Sequence, residues 1–278
     1  MHTTPRLRWR ERSFELKNDR PAGAPGTPTI VPERVTAVNA QVNLISKKPG
    51  VALAWTAHAY TATGAVLAFF GLEAAIAADF RQAFWWMVAA TLVDATDGLL
   101  ARAARVRERT PGVDGARLDD IVDYVTFVFL PAVVMFRAGL LPEGWGSAVV
   151  AAVLLSSAYG FARTDAKTDD YFFTGFPSYW NVVALYLYAG GLPATANAGI
   201  VLFLSLMVFV RIGYVYPSRT PVLRTLTLAL CAVWAGMVVA IVARLPEAPP
   251  VLVAASLFFP VYYTALSLAL HARRRRPT

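Results

Sequence analysis

The chain has 278 residues, 56% of them hydrophobic and 16% charged, and a mean hydropathy of +0.48. This balance is poor for a water-soluble domain and typical of a polytopic membrane protein. The net charge of +8 is spread along segment ends rather than concentrated on one face with interleaved aromatic residues, so we expect no nucleic-acid partner. The single cysteine, Cys231, excludes an intramolecular disulfide and a thiolate metal site.

Residues 1–50 are polar and rich in Arg, Pro and Gly, which predicts a basic, largely disordered arm. Eight apolar runs follow, most of them close to the roughly 20 residues needed to cross a bilayer. They cover residues 51–72, 82–101, 119–140, 146–162, 178–191, 195–213, 222–243 and 250–271. The chain is therefore predicted to be an all-α polytopic membrane protein with about eight transmembrane helices. The transmembrane domain covers residues 51–271, and residues 272–278 form a basic tail.

The fifth and sixth runs are separated only by a tight turn at Gly190, Gly191 and Pro193, and one kinked helix here would reduce the count to seven. The distribution of positive charge favours eight helices. With eight spans, all but three of the 26 Lys and Arg residues lie on one face, a bias that marks the cytoplasmic side. Both termini and the loop after the second run are therefore predicted to be cytoplasmic.

Four aspartates border that loop: Asp94 and Asp97 end the second run, and Asp119 and Asp123 open the third. Ionisable side chains are costly near hydrocarbon, so such a cluster indicates a functional site. Residues three or four apart share a helical face, so each pair is expected to present two carboxylates in one direction. Carboxylate oxygens suit hard divalent cations, and two ions roughly 3.5 to 4 Å apart are a common arrangement for displacement at phosphorus.

The residues between the two pairs suit a phosphate pocket. Gly98 and Gly115 allow a nucleotide or phosphate to approach the backbone, and Ala101 keeps the same face shallow. Arg102 offers a planar donor group for phosphate, although an arginine that merely snorkels to the membrane surface is an equal alternative for this residue alone.

These residues read D-x-x-D-G-x-x-A-R, twelve further residues, then G-x-x-x-D-x-x-x-D. The pattern resembles the signature of the CDP-alcohol phosphotransferase family. The gap between Arg102 and Gly115 is longer than the gap usual in this family. Its length is similar to that of the bacterial phosphatidylcholine synthase branch. The likeness spans about residues 51–271 and includes further stretches. These are F-W-W at 84–86, D-Y-V-T at 123–126, K-T-D-D-Y-F-F-T-G-F-P at 167–177, W-N at 180–181, and Pro217 with Arg219.

The resemblance implies that the chain transfers a phosphatidyl group from CDP-diacylglycerol to choline, giving phosphatidylcholine and CMP, with two Mn²⁺ or Mg²⁺ ions. By position, Asp94, Asp97 and Asp119 would hold the metals, and Asp123 would complete the site and take the proton of the choline hydroxyl. The CDP-diacylglycerol pocket would be lined by Gly98, Ala101, Arg102 and Gly115. The resemblance also implies the helical bundle of the family. It further implies a homodimer among the membrane lipids of the cell inner membrane.

Choline carries a quaternary ammonium, which binds best over aromatic rings. The loop before the fifth run is rich in aromatic residues, and Tyr124 adjoins Asp123. The candidates for choline binding are Tyr124, Asp169, Tyr171, Tyr179 and Trp180. An ordinary belt of aromatic residues at the membrane interface explains these residues equally well.

Two other functions remain open at this point. The same chemistry with serine, inositol or glycerol phosphate as acceptor would favour a dedicated basic pocket, which the aromatic loop does not suggest. A cation transporter would hold its carboxylates near mid-membrane, between interrupted helices of two repeats, and no such repeat is visible. His58, Thr61 and Gly64 share one face of the first helix, and helix contact explains them better than metal binding.

Overall fold

The computed structural model describes residues 49–166, 168, 172–217 and 219–274. Within them the helical elements are α1 (Pro49–Ile76), α2 (Phe80–Ala103), α3 (Val106–Arg109), α4 (Gly115–Asp123), a π-helical turn (Tyr124–Phe129), α5 (Leu130–Arg137), α6 (Gly146–Ala162), α7 (Trp180–Gly190), α8 (Ala194–Met207), α9 (Arg224–Ala243), α10 (Pro250–Ser256) and α11 (Phe258–Arg274). Two short strands, β1 (Phe172–Thr174) and β2 (Gly213–Val215), form an antiparallel pair.

Each of the eight predicted apolar runs is largely helical, which confirms an all-α membrane protein. The third run joins α4, the π-helical turn and α5 into one helical segment, and the eighth run consists of α10 and α11. In the described part of the chain, three helical segments are long and apolar enough to cross a membrane. They are Gly50–Ile76, Arg224–Ala243 and Pro250–Arg274, while Gly146–Ala162 and Ala194–Met207 are shorter apolar helices.

The fifth and sixth runs are separate helices. Gly191 ends α7 with a φ of +62°, a left-handed conformation that glycine adopts without steric cost, and Pro193 precedes the first turn of α8. The division supports the eight-helix interpretation over one kinked helix. Of the predicted arm, residues 1–48 lie outside the described residues. The predicted tail begins within α11, and its last four residues are likewise not described.

Small residues on α1 allow the third helical segment to approach it closely. A Cβ on Gly64 would lie 2.5 Å from Val122 Cγ1, and one on Gly71 would lie 2.6 Å from Leu130 Cδ2. Such small-residue contacts are a common way of packing helices in membranes, where lipid is as apolar as a helix surface. The contact confirms the packing role predicted for Gly64 and brings the end of α4 against α1, which also packs along α2.

The two strands were not predicted. The sixth apolar run extends to residue 213, but helix α8 ends at Met207 because the chain then bends towards β2. Backbone bonds fix the bend: Gly175 N donates to Ile212 O at 2.9 Å and Phe176 N donates to Met207 O at 3.0 Å. The segment before α7 is thereby attached to the segment after α8.

Candidate metal centre and active site

Three of the four predicted carboxylates meet at one place. Asp94 of α2 and both Asp119 and Asp123 of α4 each offer a carboxylate oxygen, and these oxygens lie within 4.8 Å of one another. All three residues are partly buried. Asp119 and Asp123 share a face of α4 because they are four residues apart. The predicted meeting of the two helices is therefore present, with α1 packed against both.

Asp97 is placed differently from the other three. Its side chain is buried, with 6% of the residue exposed, and its Oδ2 accepts a hydrogen bond from Thr61 Oγ1 of α1 at 2.8 Å. Three residues advance about 300° around a helix, so Asp97 is displaced from Asp94 by about 60°. That offset turns its carboxylate towards α1. Metal binding by Asp97 stays a prediction.

The long gap between Arg102 and Gly115 folds back on α1. Arg109 Nη1 donates to Gly50 O at 3.2 Å and to Ala104 O at 3.1 Å. His58 Nε2 and Thr110 Oγ1 are 2.9 Å apart, and Thr110 Oγ1 donates to Val106 O at 2.8 Å. Since the Thr110 proton is used in that bond, His58 Nε2 is the donor to Thr110. The helix contact predicted for His58 is accompanied by an attachment to this loop that was not predicted.

The predicted nucleotide-pocket residues flank this loop. Arg102 is exposed, and its Nη1 lies 3.2 Å from the position that a Cβ on Gly98 would occupy. Gly115 lies against the His58 ring, whose Cε1 would be 3.1 Å from an added Cβ. Ala101 packs beside the small buried cluster that joins α1 to α3. Both glycines thus sit at close approaches, and their role in binding CDP-diacylglycerol stays a prediction.

A capping signal at Asp114 was also missed. Its Oδ1 accepts from Ala116 N at 3.1 Å and from Arg117 N at 3.2 Å, so it caps the first turn of α4. Aspartate just before a helix is a strong N-terminal signal. This cap explains why the helix begins at Gly115, four residues before the predicted run.

The choline candidates occupy different environments. Tyr179 is partly buried, and its phenol interacts electrostatically with the carboxylates of Asp94 and Asp123. Tyr124 donates its hydroxyl to Leu154 O of α6 at 2.9 Å, and its ring packs edge-on against Phe161.

Trp180 is fully buried, and its Nε1 donates to Ser157 Oγ at 2.8 Å. Packing explains this ring better than ligand binding. The two remaining candidates, Asp169 and Tyr171, lie outside the described residues. Among the three candidates that the structure describes, Tyr179 is therefore the one with an electrostatic link to the carboxylates.

The group of three carboxylates fits a divalent cation. Oxygen ligands from carboxylates are those that Mg²⁺ and Mn²⁺ prefer. Three negative charges at this separation would repel one another by roughly 3 kcal/mol per pair at an effective dielectric of about 20. A dication between them would offset that repulsion.

Phosphatidylcholine synthases of several bacteria are relatives of this chain. The enzyme of Rhizobium meliloti is 41% identical over 182 residues, which cover 65% of this chain and 75% of the relative. That of Pseudomonas aeruginosa is 34% identical over 232 residues, covering 84% of this chain and 98% of the relative. That of Agrobacterium fabrum is 39% identical over 184 residues, 66% of this chain and 76% of the relative.

No family model matches the chain, so the wider likeness to CDP-alcohol phosphotransferases rests on the motif. The relatives are nevertheless more than 30% identical, and the chain covers more than two thirds of each. Together with the carboxylates that α2 and α4 bring into one group, they show that this chain belongs to the phosphatidylcholine synthase family.

Proposed function

We propose that this chain transfers a phosphatidyl group from CDP-diacylglycerol to choline and releases CMP. The observation that carries the proposal is the group formed by Asp94, Asp119 and Asp123, in a chain of the phosphatidylcholine synthase family. The reaction joins a lipid substrate to a small cation, and it requires a site at the membrane edge that accepts both.

The carboxylates have distinct roles in this proposal. Asp94 and Asp119, with Asp97, hold two Mn²⁺ or Mg²⁺ ions, and Asp123 completes the set. When bound, such ions supply positive charge beside the phosphate that is attacked and beside the departing CMP. Asp123 also accepts the proton of the choline hydroxyl as that oxygen forms its bond to the lipid phosphorus.

The nucleotide end of the lipid lies along the loop between α2 and α4. Gly98 and Gly115 permit close approach of the diphosphate, Ala101 keeps the pocket shallow, and Arg102 donates to a phosphate oxygen. The bonds from Arg109 and His58 to their partners hold the loop against α1 and so keep these residues near the carboxylates. Positioning of this kind is a major source of rate in phosphoryl transfer.

Tyr179 binds the choline cation in this arrangement. A quaternary ammonium over a tyrosine ring gains roughly 0.5 to 2 kcal/mol, and the neighbouring carboxylates attract the same charge. Asp169 and Tyr171, and Tyr124 beside Asp123, are the further candidates for this pocket.

The proposed setting is the cell inner membrane, with both termini and the site on the cytoplasmic side. The distribution of Lys and Arg supports this orientation. Residues 51–271 form the catalytic domain, residues 1–50 a basic cytoplasmic arm and residues 272–278 a basic tail. A homodimer embedded in membrane lipids is the proposed assembly.

The direct test uses purified full-length protein with CDP-diacylglycerol, choline and Mn²⁺, and measures phosphatidylcholine and CMP. We expect equal amounts of both products, with none after chelation of the metal. Parallel reactions replace choline by serine, inositol or glycerol phosphate. Product from one of these acceptors with none from choline would keep the chemistry and overturn the proposed acceptor.

A further inference from the structure

The strand pair beside Tyr179 is too small to be stable alone. Phe172 pairs with Val215, Phe173 with Tyr214, and Thr174 with Gly213. Isolated two-stranded sheets are marginal in water, and the free edge of each strand leaves backbone groups that need partners. Some other part of the fold must therefore support the pair.

Helix α11 supplies that support through three side chains spaced four residues apart. Tyr263 Oη donates to Val215 O at 3.0 Å, Val215 N donates to Ser267 Oγ at 3.1 Å, and Gly213 N donates to His271 Nδ1 at 3.1 Å. All three bonds go to β2. Its backbone groups are thus satisfied by helix side chains on one edge and by β1 on the other.

The spacing of the two elements explains why this contact forms. Four residues of helix rise about 6 Å, and two residues of strand advance about 6.6 Å. Ser267 and His271 therefore come into register with the amides of Val215 and Gly213. Because residues four apart share a helical face, Tyr263 extends the same row.

Tyr263 also connects this row to the site. Its ring lies edge-on to that of Tyr179, with centroids 6.2 Å apart. The hydrogen bond from Tyr263 to Val215 and the ring contact between Tyr263 and Tyr179 thus connect β2 to Tyr179.

We propose that Tyr263 is a positioning residue for the acceptor alcohol, which holds Tyr179 and the strand pair in register with the carboxylates. Ser267 and His271 assist by fixing β2 on the same helix face. This inference rests on the proposed function, because it assigns the row on α11 to choline binding. Tyr263 itself is buried, stacks on Tyr214 and acts through Tyr179 rather than by touching choline.

The expected signature is selective. If the row on α11 orders only the acceptor side, its loss raises the KM for choline and leaves the KM for CDP-diacylglycerol unchanged. A general loss of packing would instead lower the amount of active enzyme and leave both KM values as they are.

The test compares two Tyr→Phe variants of the full-length protein. Tyr263→Phe keeps the ring and its contact with Tyr179, and it removes the hydroxyl that bonds to Val215. Tyr186→Phe is the matched control: the Tyr186 hydroxyl bonds to Ser256 Oγ and to Trp234 Nε1, both at 2.9 Å. We expect Tyr263→Phe to raise the KM for choline about fivefold, the effect of losing roughly one hydrogen bond, and Tyr186→Phe to leave it unchanged.

A second pair of variants keeps the test decisive if Tyr263→Phe does not fold. His271→Gln retains an acceptor for Gly213 N, and His271→Leu removes it. We expect a raised KM for choline in His271→Leu and near-normal behaviour in His271→Gln.

Equal choline KM values for the wild type, Tyr263→Phe and His271→Leu would overturn the positioning role while the proposed function stands. If the wild type makes no phosphatidylcholine at all, the proposed function itself fails. The two failures are therefore distinguishable in one set of assays.

Discussion

The site has two sides that are built in different ways. The carboxylate side consists of α1, α2 and α4, whose helices pack through small residues such as Gly64 and Gly71. The aromatic side consists of β1, β2 and Tyr179, held by a row of polar side chains on α11. Close helix packing is hard to shift without unfolding the bundle, whereas a short strand pair depends on a few individual bonds.

This difference suggests that the two sides of the site have different functions. The rigid side presents the groups that carry the chemistry, for which displacements of about 1 Å are costly. The side attached by single hydrogen bonds recognises the acceptor, and changes there are expected to alter binding more than turnover. Variants on the two sides should therefore differ in which kinetic constant they change.

The largest effect is expected on the carboxylate side from Asp123→Asn. The amide keeps the shape of the side chain but neither accepts the choline proton nor neutralises a dication, so kcat should fall roughly 10²- to 10⁴-fold. Steady-state assays of phosphatidylcholine formation measure this fall in kcat. Asp120→Asn, three residues away on the same helix, is the matched control and should retain activity; equal losses in both variants would contradict the assignment.

A smaller effect on the same side is expected from Thr61→Val. The isosteric change removes the donor to the buried carboxylate of Asp97 and leaves that group short of a hydrogen bond, at a cost of about 1 to 3 kcal/mol. The melting temperature should fall, and the Mn²⁺ concentration needed for half-maximal activity should rise if Asp97 also holds a metal.

Thr63→Val is the control for that measurement. Thr63 lies on the same helix but is exposed and donates only to Tyr60 O. A melting temperature of Thr61→Val equal to that of Thr63→Val would contradict the structural importance of the Thr61–Asp97 bond.

On the aromatic side, Tyr179→Leu should raise the KM for choline about threefold to tenfold, because one cation–π contact is lost. Its kcat should change little. Trp180→Phe gives the contrast: the buried indole loses its bond to Ser157, so stability should decrease while the KM for choline stays constant. A raised choline KM in Trp180→Phe with an unchanged one in Tyr179→Leu would reverse our assignment of the two neighbours.

The smallest effect concerns the start of the loop that leads to β1. Arg163 donates twice to Asp165, at 2.8 Å each, and this guanidinium lowers the pKa of the Asp165 carboxyl. Because the folded-state pKa is depressed, the pair contributes stability above the ordinary aspartate pKa and loses it as pH falls through the lowered value. Asp165→Asn should therefore melt slightly below the wild type at pH 7, and the difference should vanish in strong acid. A difference that persists there would contradict this origin.

The sequence predicted the parts of the fold that are encoded locally. Apolar runs predict helices because the whole run must be buried in lipid. The turn at Gly191 is predicted by Gly190, Gly191 and Pro193. The meeting of Asp94 with Asp119 and Asp123 was also predictable, because their spacing puts each on a helix end joined by one loop.

Contacts between distant segments were not predictable in this way. Strands of three residues carry almost no periodic signal, and β1 and β2 are separated by two helices in the chain. The supporting role of Tyr263, Ser267 and His271 can be recognised only when β2 is known to lie beside them. The placement of Asp97 was also not predictable. The spacing puts Asp94 and Asp97 on one helical face, but it does not show that their offset of about 60° turns Asp97 towards α1.

The central claim is that carboxylates from α2 and α4 bind one set of divalent ions. Titration of the purified protein with Mn²⁺, followed by electron paramagnetic resonance of the free ion, tests it without relying on turnover. We predict that Asp94→Asn and Asp119→Asn each weaken binding by at least about tenfold, while Asp120→Asn binds as the wild type does. Wild-type affinity in both the Asp94 and the Asp119 variants would contradict the account.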